Sequence, residues 1–144
     1  MNENHLPTEK RRRVLIVEDS PELRASLAAA LRSEGYDVAV ASDGAEASAW
    51  LAVNDVDVLL TDIVMPKADG FETMRCAAER KCAVVAMSGD PHFGAAKYLD
   101  MARFLGASEV LMKPFSMRRL REALDTAIDA SRSAANHSAR TATT

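Results

Sequence analysis

Long apolar runs are missing from this 144-residue chain. Nothing approaches the ~20 apolar residues that a membrane-spanning helix needs, so no span is expected. The opening MNENHLPTEKRRR is polar and then basic, with no apolar core behind it, and does not read as a secretory signal. Cysteine is scarce. Cys76 and Cys82 lack the spacing of a metal site and are expected to stay reduced in a cytoplasm. An excess of positive charge is also lacking. The net charge of −3 and pI near 5.6 give no general affinity for nucleic acid. Lys10 to Arg13 form the one basic run, which reads as a solvated leader before the first strand rather than a docking site. His5, His92 and His137 fall in a tail or in loops, without ligand spacing. No internal repeat divides the chain.

What is present is a soluble globular composition, 48% hydrophobic and 27% charged, arranged as an alternation. VLIV at Val14–Val17 is short, continuous and rich in β-branched residues, as a strand buried on both faces is. Ser20, Pro21 and Glu22 supply a helix N-cap, a first-turn proline and a first-turn acid. Leu23, Leu27, Ala30 and Leu31 then mark one helical face, closed by Gly35. Tyr36–Ala41 predicts a strand. Asp43 with Glu46 opens a helix to about Val53. Val56–Thr61 predicts a third strand, Phe71–Arg80 a helix, Ala83–Met87 a fourth strand. A loop with Gly89, Pro91 and Gly94 precedes a helix ending near Leu105. Glu109–Met112 is a short fifth strand. The last helix starts at Ser116, with Phe115 and Leu120 placed to staple its first turn.

Strands that alternate with helices predict the α/β class: a five-stranded parallel sheet, doubly wound as (βα)5 with right-handed crossovers. The expected organisation is a basic disordered leader over residues 1–12, a domain over 13–131, and a small, polar, disordered tail over 132–144.

In such a sheet the functional crevice lies outside the carboxyl ends of the strands. Glu18 and Asp19 follow the first strand, Thr61 and Asp62 end the third, Met87 and Ser88 the fourth, Met112 and Lys113 the fifth. Three carboxylates, a hydroxyl and an amine therefore converge on one edge. Close carboxylates repel and need a cation, or one must hold a proton. An all-oxygen, carboxylate-rich set suits Mg²⁺. The chemistry this points to is phosphoryl transfer to a carboxylate, in which positioning and charge neutralisation do most of the work. Each member alone has an ordinary explanation: Asp19 as a helix cap, Ser88 as a turn residue, Lys113 as a surface charge. Those explanations do not account for the set.

VLIVEDSPELR, LLTDIVMPKADGFE, VVAMSGD and GASEVLMKPF together resemble the hallmark segments of the response-regulator receiver family, also called chemotaxis-Y-like. The resemblance runs from about Arg13 to Ala130. It implies a flavodoxin-like fold and a phosphorylation-activated signalling switch in a two-component phosphorelay. It also implies that Asp62 is the phosphoacceptor, that Ser88 is the switch hydroxyl and that Lys113 contacts the phosphoryl group. Mg²⁺ would be held by Asp19, Asp62 and the Val64 backbone carbonyl, with Glu18 acting largely through bound water. The Lys113–Pro114 peptide is expected to be cis. Glu18 stands where Asp is also frequent, and Val110 where the family usually has Tyr or Phe. The Asp62–Ser88 stretch is short and the Ser88–Lys113 stretch long for the family.

The implied protein is a stand-alone cytoplasmic receiver that is no enzyme beyond its own aspartyl phosphorylation and dephosphorylation. Its partners would be a histidine kinase or phosphotransfer protein and a downstream protein, without DNA or membrane. The downstream protein would dock on the face made by the helix ending near Leu105, the fifth strand and the last helix. In that helix Tyr98, Leu99, Met101, Ala102, Phe104 and Leu105 exceed one buried stripe. The alternative is a phosphate sink or phosphorelay intermediate without its own output. An aspartyl-phosphate phosphohydrolase fits less well, because Val64 replaces the second acid of its DxD pattern. A receiver-shaped module that ignores phosphate is disfavoured by the complete acid set with Ser88 and Lys113.

Overall fold

A computed structural model describes residues 11–63, 70–80, 82–89, 100, 103 and 106–142. Five strands, β1 (Arg13–Val17), β2 (Asp37–Ala41), β3 (Val58–Asp62), β4 (Ala83–Ser88) and β5 (Glu109–Met112), pair in parallel in the order β2-β1-β3-β4-β5. Between and after them lie α1 (Pro21–Ser33), α2 (Gly44–Val53), α3 (Gly70–Glu79) and α4 (Met117–Ala142). The doubly wound parallel sheet is the one the alternation predicts. The helix expected to end near Leu105 lies outside the described residues apart from Asp100 and Arg103, and its apolar surplus lies outside them too.

Continuous apolar strands arise because both faces of the sheet are covered. Successive side chains of a strand point to opposite faces. Val14, Ile16, Val58, Leu60, Val85 and Met87 therefore pack in one layer with Leu27 and Leu31 of α1 and Leu120, Leu124 and Ile128 of α4. Leu15, Val17, Leu59, Val84 and Ala86 form the opposite layer with Leu51 of α2 and Met74 of α3. Fully burying each such side chain contributes about 1.5–3 kcal/mol. The edge strands β2 and β5 are only partly buried, while β3 and β4 are buried throughout.

Local chemistry sets the helix starts. The Ser20 hydroxyl accepts from the Leu23 amide, with Pro21 in the first turn of α1. The Asp43 carboxylate accepts from the Glu46 amide at 2.8 Å, and the Ser116 hydroxyl accepts from the Arg119 amide at 3.0 Å. Phe115 packs against the layer containing Leu120, as a staple would. Gly35, with φ +97°, ends α1 in a conformation that favours glycine. The Lys113–Pro114 peptide is cis.

The amino ends of the strands are held by charge. The Arg13 amide donates to Asp57 at 2.7 Å, and its guanidinium pairs with Asp37 at 2.9 Å. Arg12 pairs with Asp125 of α4, which also accepts from the buried Tyr36 hydroxyl at 3.1 Å. Arg12, read from sequence as part of a leader, is thus fastened to the last helix. Tyr36 and Asp57 fall just before β2 and β3, the Tyr36 amide being spent on the Leu31 carbonyl in the turn that ends α1.

The tail departs from expectation. The final helix does not stop near residue 131 but runs 26 residues, to Ala142. Its continuation SAANHSARTA is rich in alanine and free of glycine and proline. A helix already nucleated by packing extends through such residues at little cost.

Candidate functional site

The strand order reverses between β1 and β3, and the acids stand at the carboxyl ends of those two strands, where open α/β sheets bind ligands. Asp62 is the last residue of β3, and its backbone pairs in register with Met87 of β4. Glu18 follows β1, with its amide donating to the Ala41 carbonyl at 3.1 Å. Ser88 ends β4, and its carbonyl accepts from the Lys113 amide at 2.8 Å. Backbone pairing thus carries each of these side chains to one edge.

The ammonium of Lys113 lies 2.6 Å from Glu18 Oε1 and 2.8 Å from Asp62 Oδ2. Glu18 and Asp62 are buried, at 1% and 5% exposure, while Asp19 is exposed. Burial pushes the Glu18 carboxyl above its ordinary range, although the bonds from Lys113 and from the Ser20 amide at 3.1 Å pull the other way. Burial opposes the charge on Lys113, yet its bonds to Asp62 and Glu18 outweigh that and lift the amine above its ordinary value.

Carboxylate oxygens of Glu18, Asp19 and Asp62 lie within 4.8 Å of one another. Against three acids, one lysine leaves an excess of negative charge. At such separations two like charges repel by ~4 kcal/mol near a protein surface. Hard, closely set oxygens fit Mg²⁺ as the compensating ion. Val64, expected to offer its carbonyl, lies outside the described residues.

Two polar atoms nearby have special positions. Ser88 Oγ is buried with no hydrogen-bond partner among the described residues, and an unmet buried hydroxyl costs ~1–3 kcal/mol. The Arg24 guanidinium donates to the Glu18 carbonyl at 2.9 Å. Gly89 lets Lys113 cross close by, since a Cβ there would lie 3.0 Å from Lys113 Cδ. Arg24 and Gly89 escape a reading of sequence alone. One looks like a helix-surface charge and the other like a turn residue, and only three-dimensional proximity marks them.

The structure thus brings Glu18, Asp19, Asp62, Ser88 and Lys113 to one edge, as the strand ends imply. Val110 lies partly buried against the layer of α2 and α3, with a side chain too small for an aromatic swing.

Comparison with known proteins agrees with this geometry. The family described as response regulator receiver domain matches residues 14–125. The transcriptional regulatory protein PdtaR of Mycobacterium tuberculosis is 36% identical over 119 residues, covering 81% of this chain. The chain spans only 57% of that relative's length. A CheY-like receiver domain protein from Methanospirillum hungatei superimposes with a TM-score of 0.75 at 25% identity, covering 86% of this chain and 98% of that one. The response regulator TrrA of Thermotoga maritima, in complex with Mg(2+)-BeF, gives 0.68 at 26% identity, covering 79% of this chain and 96% of its own. No described helix is long and apolar enough to cross a membrane. With its family match, fold and strand-edge acids in agreement, this chain belongs to the response regulator receiver family of two-component systems.

Proposed function

We propose that this chain is a phosphorylation-activated switch that takes a phosphoryl group onto Asp62 from a histidine kinase or phosphotransfer protein. The observation that carries this is the pairing of buried Asp62 with Lys113 at 2.8 Å, beside two further carboxylates, with the buried Ser88 hydroxyl at the end of the neighbouring strand. An Asp62 carboxylate oxygen attacks the phosphorus of a phosphohistidine. The O–P bond forms, the P–N bond breaks, and the imidazole nitrogen leaves with the bonding pair. Lys113 turns from the carboxylate toward the phosphoryl oxygens and meets the charge they bring. Ser88 Oγ donates to one of those oxygens.

Glu18, Asp19, Asp62 and the Val64 carbonyl would hold Mg²⁺, which when bound neutralises charge shared by the acids and the phosphoryl group. That the similar response regulator TrrA forms a complex with Mg(2+)-BeF favours Mg²⁺ as the ion here. Output passes by protein contact through the region that follows Ser88. Since Val110 cannot carry an aromatic swing, the change is expected in residues 89–105, and the downstream protein is expected to dock on that segment together with β5 and α4. A cytoplasmic setting fits this partner set.

The test is intact mass after incubation with Mg²⁺ and acetyl phosphate, with and without chelator. The wild type gains one phosphoryl mass only with the metal. An Asp62→Asn variant that still gains it, or a chelated sample that reacts equally fast, overturns the proposal.

A further inference from the structure

We infer that Arg24 of α1 is a positioning residue for the divalent cation, fixing the peptide between Glu18 and Asp19 so that both acids face one point. This rests on the proposed metal site. Three bonds hold the backbone here: the Glu18 amide to the Ala41 carbonyl at 3.1 Å, the Ser20 amide to Glu18 Oε2 at 3.1 Å, and Arg24 Nη1 to the Glu18 carbonyl at 2.9 Å. The first two fix the strand end and the Glu18 side chain. The third is the one that sets the plane of the Glu18–Asp19 peptide.

Asp19 needs that help. It is exposed, while Glu18 and Asp62 are packed in place. Rotation of the preceding peptide would swing its carboxylate out of the 4.8 Å cluster. Arg24 is well anchored for the task, because its own amide bonds the Ser20 carbonyl at 2.9 Å in the first turn of the helix capped by Ser20. Its guanidinium also brings a second positive charge to this strand end, and it does so at a backbone carbonyl rather than at a carboxylate oxygen. Groups behind the metal-bearing atoms commonly govern affinity in this way; losing one costs ~10–100-fold.

The experiment is calorimetric titration of Mg²⁺ into the full chain without any phosphodonor, with thermal unfolding of the metal-free protein recorded in parallel. Arg24→Gln is expected to bind Mg²⁺ roughly tenfold more weakly than the wild type. Its metal-free unfolding temperature should change far less than its affinity. Arg24→Lys keeps the charge but not the forked donor and should fall between the two, about threefold weaker. It also carries the test if the glutamine variant does not fold. Affinity within the error of wild type in either folded variant overturns the inference while the proposed metal site stands. A wild type that binds no Mg²⁺ overturns both.

Discussion

Gly89 and Lys113 pass so closely that a single added methyl on Gly89 would lie 3.0 Å from Lys113 Cδ and 3.2 Å from its Cβ. The lysine reaches Glu18 and Asp62 by lying across a residue with no side chain. Gly89→Val is therefore expected to leave the sheet intact but tilt the Lys113 stem and withdraw its ammonium. Phosphorylation by acetyl phosphate should slow at least tenfold, about 1.4 kcal/mol in the barrier, with unfolding temperature changed by only a few degrees. A rate equal to wild type would show that Lys113 reaches its partners by another path.

Ser88→Ala has a less obvious expected outcome. The hydroxyl is fully buried and has no hydrogen-bond partner among the described residues, so removing it is expected to relieve an unmet hydrogen bond without opening a sizeable cavity. Stability of the unphosphorylated protein should stay level or rise by up to ~1 kcal/mol. Urea unfolding measures this directly; a loss above ~1 kcal/mol would mean that the hydroxyl already has a partner at rest.

Tyr36 supplies a pH dependence far from the acids. Burial and the neighbouring Asp125 push its hydroxyl up to about 12 from an ordinary 10. The folded chain keeps this proton where the unfolded chain has lost it. The contribution is thus whole below pH 10 and drains away between pH 10 and about 12. Tyr36→Phe should show a flatter fall in stability across that window, by roughly 1 kcal/mol after allowing for solvent at the hydroxyl. Parallel slopes for the two proteins would contradict the assignment.

Burial likewise pushes the Cys82 thiol up to about 11. At pH 8 almost no thiolate is present, and the thiolate is the reactive form. Iodoacetamide should label Cys82 many-fold more slowly in the folded protein than in urea. Peptide mass spectrometry that finds equal rates would place this thiol in a more open setting.

Much of the fold is legible in the sequence because its signals are local. VLIV needs only its own four residues to announce a strand covered on both faces, and Ser20-Pro21-Glu22 announces a helix start. The reactive edge follows from those strand ends alone, which is why Glu18, Asp19, Asp62, Ser88 and Lys113 can be named together. What sequence does not carry is contact across distance. Lys113 meets Glu18 from 95 positions away and Asp62 from 51. No pattern says that one ammonium is shared between them, that Arg24 turns inward, or that Gly89 clears a path. The length of α4 is hidden for a different reason. Small polar residues suit a loose tail and, when alanine-rich, also suit continuation of a packed helix. Tertiary anchoring decides between the two.

A parallel sheet has a direction, and here the direction sorts labour. The carboxyl ends of β1 and β3 carry the clustered acids, while the opposite rim carries Arg13 with Asp37 and Asp57, and Arg12 with Asp125 and Tyr36. The rim ties chain segments together by charge, at the opposite end of the strands from the proposed phosphorylation site. The molecule can therefore be tuned from below. Adding or removing an ion pair at that rim alters how firmly the scaffold holds without altering the distances among the acids, a sheet's length away. For the same reason, a tether or sensor label attached beside Gly35 would leave the acidic edge facing free solution.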